Sequence, residues 1–367
     1  MTERLFSADG RQAVADECAG VLERLAPAAG LDATLAPFAG GGTLAERLCA
    51  NPYLMAPMAG VSDAAYRMMA RAGGAAIGYT EMVSVAGIHY AGEKTWDLVY
   101  PKGAEPDVAV QLFGSKPEQF REAAALVCER VGERLALIDV NMACPVPKVT
   151  RKGEGSALLD EPELSARIIE ACVSEASVPV TCKIRRSRQP GPEQAPDFAR
   201  RMEQAGASAV AVHGRTASQL YRGEADWGVV SRVVDAVSIP VIGSGDVLDA
   251  EAASRMRAET GATAVMVARG TYGNPWVFAG ARDVDAGREP HTPTLSERLG
   301  AFECHVRLLA ATGAHLARGR SLAGWYLKGM PHAAAWRNRA MACVTLEDFL
   351  EMVEALRAYV DAAEGEL

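Results

Sequence analysis

Leu135-Ala-Leu-Ile-Asp-Val-Asn141 is a short, mostly apolar run that follows an amphipathic stretch, Pro117 to Val131, closed by Gly132. A buried strand next to a helix is the repeating unit of an α/β fold. Working outward, the unit recurs along most of the chain. Apolar or β-branched runs stand at Tyr53 to Pro57, Ala76 to Glu81, Val108 to Phe113, Val180 to Ile184, Ala209 to His213, Val241 to Gly243 and Ala264 to Ala268. Helical patterns at Glu161 to Ala176, Gln194 to Ala205, Trp227 to Val237 and Ala250 to Thr260 lie between them, with Gly206 and Gly261 placed as helix C-caps. Eight such strands in about 220 residues predict a (β/α)8 TIM barrel rather than an open sheet. No G-x-G-x-x-G opens a helix after the first strand, so a dinucleotide-binding sheet has no support. Barrel chemistry sits at the C-terminal ends of strands, and there stand Glu81, Gln111, Asn141, Lys183, His213, Asp246 and Arg269.

The 367 residues exceed one hydrophobic core, which stops growing at roughly 250 to 300 residues. The expected division is an N-terminal helical extension over 1–50, a barrel over 51–292 and a C-terminal helical domain over 293–367. The extension carries one amphipathic stripe, Val14, Cys18, Val21, Leu22 and Leu25, ahead of the Gly40-Gly-Gly42 break. The chain's eight cysteines lie at least ten positions apart, which removes C-x-x-C metal or redox pairs and a dense disulfide framework. No metal is expected, and a reducing cytoplasmic setting suits that usage. The N-terminus MTERLFSADGRQ has no basic region followed by an apolar run, and no membrane span is expected. A monomer is the expected state.

Acidic residues outnumber basic ones 46 to 38, a net charge of −8 that by itself argues against an anionic partner. Between His305 and Cys343, however, Arg307, Arg318, Arg320, Lys328, Arg337 and Arg339 stand with no acid among them. That segment reads either as a solvated helix face with its acids elsewhere or as a footprint for a phosphate backbone.

Two glycine-bearing loops, Gly243-Ser244-Gly245-Asp246 after strand seven and Ala268-Arg269-Gly270 after strand eight, occupy the positions that commonly hold phosphate in this fold. They read either as tight βα turns or, with both at the customary places, as the cradle of a phosphate-bearing cofactor, the favoured reading, with flavin mononucleotide (FMN) the leading candidate. Lys183 would face the electron-rich edge of its ring, Gln111 and His213 would hydrogen-bond it, and Pro57-Met58-Ala59 would form an apolar floor. Asn141-Met-Ala-Cys144-Pro-Val-Pro-Lys148 sets a thiol on the same face. A thiol with an ordinary pKa near 8.5 is protonated at about pH 7 and can act as a general acid, whereas a close cation would favour the thiolate.

These residues resemble the tRNA-dihydrouridine synthases, most closely the B-type bacterial branch. The resemblance runs from Asn51 to about Ala362. It rests on Ala56-Pro-Met-Ala-Gly-Val-Ser-Asp63, Val110-Gln-Leu-Phe-Gly114, Asp139-Val-Asn-Met-Ala-Cys-Pro145 with Lys148-Val149, Lys183-Ile-Arg185, His213-Gly-Arg-Thr216, Gly243-Ser-Gly-Asp246 and Gly273-Asn-Pro-Trp-Val-Phe278. It implies an FMN enzyme that reduces tRNA uridines to 5,6-dihydrouridine, with NADPH recharging the flavin. It also implies hydride delivery from flavin N5 to uracil C6 and a proton from Cys144 to C5. Asn141, Arg185 and Lys148 are then substrate-side contacts, Gln111, Lys183 and His213 flavin contacts, and Ser244, Gly245, Asp246, Ala268 and Arg269 the phosphate end. Lys328, Arg337 and Arg339 would meet the tRNA. Ser244, Ala143 and Ala268 depart from the Asn, Gly and Gly common in the family. A flavin-dependent barrel acting on a small molecule, and an RNA-binding protein without turnover, are the competing readings.

Overall fold

Alternation along the strands sorts their side chains onto two faces, and this parity decides which residues reach the site. In a computed structural model, which describes residues 8–90 and 93–364, eight parallel strands pair in the order β1-β8-β7-β6-β5-β4-β3-β2. They are β1 (Tyr53–Met55), β2 (Val83–Ser84), β3 (Val108–Phe113), β4 (Leu135–Met142), β5 (Val180–Arg185), β6 (Ala209–His213), β7 (Val241–Ser244) and β8 (Ala264–Val267). Residues 76–80 close the ring. Ala76 N–H donates to Tyr53 O at 2.8 Å and Thr80 N–H to Ala109 O at 2.9 Å, tying β1 to β3. The chain is therefore a closed (β/α)8 barrel.

The second strand corrects the sequence reading. Over 76–81 there are only single bridges, Met55 to Gly78 and Tyr79 to Ala109, and the regular ladder is the two-residue β2 further on. At Gly78 the Arg67 side chain packs so close that a Cβ there would lie 2.9 Å from it. The remaining strands fall within a residue or two of expectation, as do the helices Pro117–Val131, Ala195–Gln204 and Ala250–Thr260, while Pro162–Val173 ends three residues short of its pattern. Gly228–Val234 is shorter than its pattern.

Outward side chains such as Val110, Ile138, Val140, Cys182, Val210 and Val212 pack under the helices. Inward ones are small where the barrel is filled, with Ala109, Ala209, Ala211 and Ala264 leaving room for larger neighbours. Phe38, Leu44 and Leu48 plug the far end of this interior, so part of the N-terminal extension belongs to the barrel core. Thr43 and Glu46 form a capping box that starts the plugging helix, Leu44–Ala50. Asp107 fixes the plug from below, accepting from Phe38 N–H while pairing with Arg71 at 2.8 Å.

The Ala8–Leu25 helix buries Val14, Cys18, Val21 and Leu22, with Leu25 half-buried, as its stripe predicts. Residues 1–7 of the expected extension lie outside the described residues. The helix packs on Leu295–Ala311, the first helix of the C-terminal segment, in a core shared with barrel helices Ala64–Ala72 and Val277–Asp285. Among the described residues no helix is long and apolar enough to cross a membrane, and no cluster of His, Cys, Asp or Glu could hold a metal.

Candidate active site

At the C-terminal mouth of the barrel lies a cleft of about 480 Å³, within the roughly 300–1,000 Å³ of ligand sites. Pro57, Met58, Ala59, Gln111, Asn141, Cys144, Lys183, Arg185, His213, Ser244, Gly245, Asp246, Ala268 and Arg269 all line it. Parity explains the convergence, since Asn141, Lys183 and His213 occupy inward positions, with Asn141 beside Lys183 and Arg185 beside His213 across the ladders.

The loop carrying Cys144 is held from three sides. Asn141 Oδ1 accepts from the Cys144 N–H at 2.9 Å and from the Ala143 N–H at 3.2 Å. Arg185 Nε donates to Ala143 O at 2.9 Å, and Ser156 N–H donates to Cys144 O at 2.9 Å. Burial pushes the thiol above its usual range, opposed by a hydrogen bond from the Val146 backbone and by the Arg185 charge. The cation effect left open by the sequence is thus outweighed, and Cys144 is a protonated thiol at neutral pH. Lys148 does not line the cleft; it is exposed on the short Pro147–Thr150 helix.

Arg185 is buried and already engaged, because it also donates to Thr216 O at 2.9 Å and Leu220 O at 3.1 Å. It clamps the β4 and β6 loops to each other. Lys183 is half-buried at the cleft, and burial lowers its pKa to about 8, with Arg185 adding to the shift and Asp139 opposing it. Burial and four cationic neighbours hold His213 neutral, so it meets a ligand as an uncharged imidazole.

In the expected phosphate cradle, Asp246 plays an indirect part. Its carboxylate takes both terminal nitrogens of Arg215 at 2.7 Å, Arg269 Nη2 at 2.8 Å and the Ala225 N–H at 2.8 Å. Its carboxylate therefore aims Arg269. Gly245, at φ +115, lets the turn pack directly against His213, because a Cβ there would stand 2.6 Å from His213 Cδ2. Ala268 has φ −107 and Ala143 is not among the positive-φ residues, so neither alanine sits where only glycine fits. An apolar floor, a half-buried lysine and a glycine turn beside an arginine are a donor set that would fit a flavin with a terminal phosphate.

The C-terminal basic segment divides into two groups. Arg307 pairs with Glu303 at 2.8 Å, Arg318 bridges Asp63 and Glu81 at 2.6 and 2.9 Å, and Arg320 donates to Cys343 O at 3.0 Å. Lys328, Arg337 and Arg339 are exposed, with Arg339 lying over the Trp336 ring at 5.7 Å. Three of the six cations are thus engaged within the fold and three face solvent.

Sequence reasoning passed over several members of the site. Tyr221 stands at the mouth, 63% exposed, with the Arg269 guanidinium over its ring at 5.1 Å. Tyr272 lines the cleft and stacks on Trp325 at 4.1 Å, joining the barrel mouth to the C-terminal helices. No single-residue signal marks Tyr221 in a loop. Arg215 had one, lying two residues beyond His213.

Fold and site together define a (β/α)8 barrel whose mouth combines a glycine turn beside an arginine, a half-buried lysine and a thiol. The dihydrouridine synthase (Dus) family profile matches residues 54–364. The chain is 35% identical over 296 residues to tRNA-dihydrouridine synthase B of Xanthomonas axonopodis pv. citri, covering 78% of this chain and 88% of that protein. It is 34% identical over 316 residues to tRNA-dihydrouridine synthase B of Yersinia pestis, covering 85% and 96%. The chain belongs to the dihydrouridine synthase family.

Proposed function

We propose that this protein reduces particular uridines of tRNA to 5,6-dihydrouridine, with FMN as cofactor and NADPH as the reductant that recharges it. The observation that carries this reading is the place of the half-buried Cys144 thiol, its loop fixed by Asn141 and Arg185, in the same cleft as Lys183 and His213. Bound flavin supplies the hydride. The chain's own residues do the rest. Pro57, Met58, Ala59, Gln111, Lys183 and His213 would hold the ring, while Ser244, Gly245, Ala268 and Arg269 would hold the phosphate end, Arg269 being aimed by Asp246.

The Cys144 thiol donates a proton to uracil C5, and the resulting thiolate regains one from solvent, to which the partly exposed side chain has access. Asn141 and Arg185 fix the loop that presents the thiol. A uracil stacked in folded RNA cannot enter this mouth, so the base must be extruded at a cost of a few kcal/mol. Lys328, Arg337 and Arg339, in the helical segment 293–367, would offset that cost through backbone contacts. A tRNA substrate implies a cytoplasmic setting.

Nucleoside mass spectrometry of unmodified bulk tRNA, after incubation with the protein, FMN and NADPH, tests this reading. Dihydrouridine in the digest is expected. Its absence with FMN demonstrably bound would overturn the proposal in favour of a small-molecule flavoenzyme.

A further inference from the structure

Beneath the cleft, β4 turns a second side chain inward, the carboxylate of Asp139, which is fully buried. Its Oδ1 accepts from Thr181 Oγ1 at 2.6 Å and its Oδ2 from Gln111 Nε2 at 2.6 Å. Nothing in the chemistry proposed above uses it. Replacing a buried charge by apolar residues is often neutral or stabilising, so its presence asks for a reason beyond cohesion.

The reason lies in what an ionised carboxylate forbids. It only accepts hydrogen bonds, so Gln111 must turn its amide nitrogen toward Asp139. Gln111 Oε1 then faces the neighbouring strand, where Asn141 Nδ2 donates to it at 2.8 Å. Asn141 Oδ1 is left for the Ala143 and Cys144 N–H groups, at 3.2 and 2.9 Å. Without the carboxylate each amide could rotate by half a turn, and a flipped Asn141 would set its NH2 group against two backbone donors. Burial raises the Asp139 pKa to about 6, with hydrogen bonds from Gln111 and Thr181 and the Lys183 charge opposing, so the group is ionised at neutral pH.

We propose that Asp139 is a positioning residue that sets the orientation of the Gln111 and Asn141 amides, so that Asn141 holds the Cys144 loop through its oxygen and offers the cleft only an N–H. One hydrogen on Asn141 Nδ2 remains after the bond to Gln111, and Asn141 lines the cleft. A donor there pairs with a ring carbonyl and opposes an exocyclic amine. The site so set takes a pyrimidine-2,4-dione and rejects a 4-aminopyrimidine. This last step rests on the uridine reading above; the control of the loop does not.

The test uses amide hydrogen exchange in flavin-free, tRNA-free protein at pH 7.5, comparing the parent, Asp139→Asn and the double variant Asp139→Asn/Asn141→Asp. In the single variant the new side-chain amide at position 139 can donate to Gln111, which turns Gln111 over and withdraws the Asn141 oxygen from the loop. The Ala143 and Cys144 amides are expected to exchange about fivefold faster or more, the scale of losing one net hydrogen bond. Amides of β8 should stay at parent rates. In the double variant the carboxylate at 141 accepts from the turned Gln111 and from both loop amides, and exchange should return to within about twofold of the parent.

Parent-like exchange in the single variant overturns the proposal. If the single variant loosens throughout, the double variant decides: recovery of the Ala143 and Cys144 amides supports the orientation role, and no recovery overturns it. With FMN and tRNA added, the double variant should remain at least about tenfold below the parent in uridine reduction, because its cleft donor is gone. Full activity there would overturn the donor assignment. A failure of the bulk-tRNA experiment would leave the exchange results standing, so the two readings fail separately.

Discussion

Arg318 reaches from the C-terminal helices to the barrel and pairs with Asp63 at 2.6 Å, while its other terminal nitrogen meets Glu81 at 2.9 Å. Asp63 caps the Ala64–Ala72 helix, and Glu81 accepts from the Gly60 N–H at 2.6 Å. One side chain thus pins the loops after β1 and after residues 76–80 to the helical segment. On the proposed function, Arg318→Ala should weaken tRNA binding while leaving FMN occupancy intact, because it leaves two carboxylates uncompensated where the helical segment meets the barrel. Filter-binding titrations and flavin absorbance would check this. The stability cost should be only about 1 kcal/mol, since the guanidinium is about one-third exposed.

Cys144→Ala separates proton donation from the rest of the cycle. The variant should bind FMN and oxidise NADPH like the parent but lose about 10²- to 10⁴-fold in dihydrouridine formation, the usual contribution of a positioned acid. Single-turnover product assays would show it. Parent-like yields and rates would assign the proton to another group.

At Gly245 a side chain has no space. A Cβ would fall 2.6 Å from His213 Cδ2 and 2.8 Å from the Ala225 Cβ, on a backbone at φ +115. Gly245→Ala should cost about 1–3 kcal/mol of stability and displace the His213 ring. Both a lower melting temperature and a weaker FMN affinity are expected. An unchanged dissociation constant would detach this turn from the cofactor site.

How much of this is legible in sequence depends on the range of each interaction. Asn141, Lys183 and His213 each end a strand pattern, so the run of residues alone is enough to put them at one mouth of a barrel. Residues 76–81 read as a regular strand because their apolar pattern is strand-like, while the close approach of Arg67 to Gly78 is tertiary. The basic segment reads as more highly charged than it is for the same cause. Asp63 and Glu81, which pair with Arg318, lie more than 230 positions away. Asp139 stands inside a recognisable motif, yet its role depends on partners from β3 and β5 that only the register brings alongside.

Lys183 gives the site a pH dependence of definite sign. Its pKa in the cofactor-free protein is lowered to about 8 by burial. A ligand with a phosphate and an electron-rich ring edge binds the ammonium form better, so binding raises that pKa. Below about pH 8 the group is already charged and affinity should be flat. Above it each binding event must take up a proton, and affinity should fall by up to about tenfold per pH unit. Fluorescence titration of FMN between pH 6.5 and about 9.5 would measure it, with Lys183→Met expected to bind more weakly and to flatten the profile. A parent profile that is level through this range would remove Lys183 as the responsible cation.

Arg337 and Arg339 lie two residues apart on the Ala333–Ala342 helix, both exposed. An RNA backbone laid across that helix would release counterions on contact with them, so binding through them must weaken with salt. Reversing both to Glu should lower tRNA affinity and reduce the slope of log affinity against log salt by about one to two, with FMN content unchanged. Titrations at several salt concentrations distinguish this from unfolding, which would lower flavin content as well. A double reversal with the parent's salt slope would mean that the tRNA crosses the helical segment by another route, with Lys328 the next exposed cation to test.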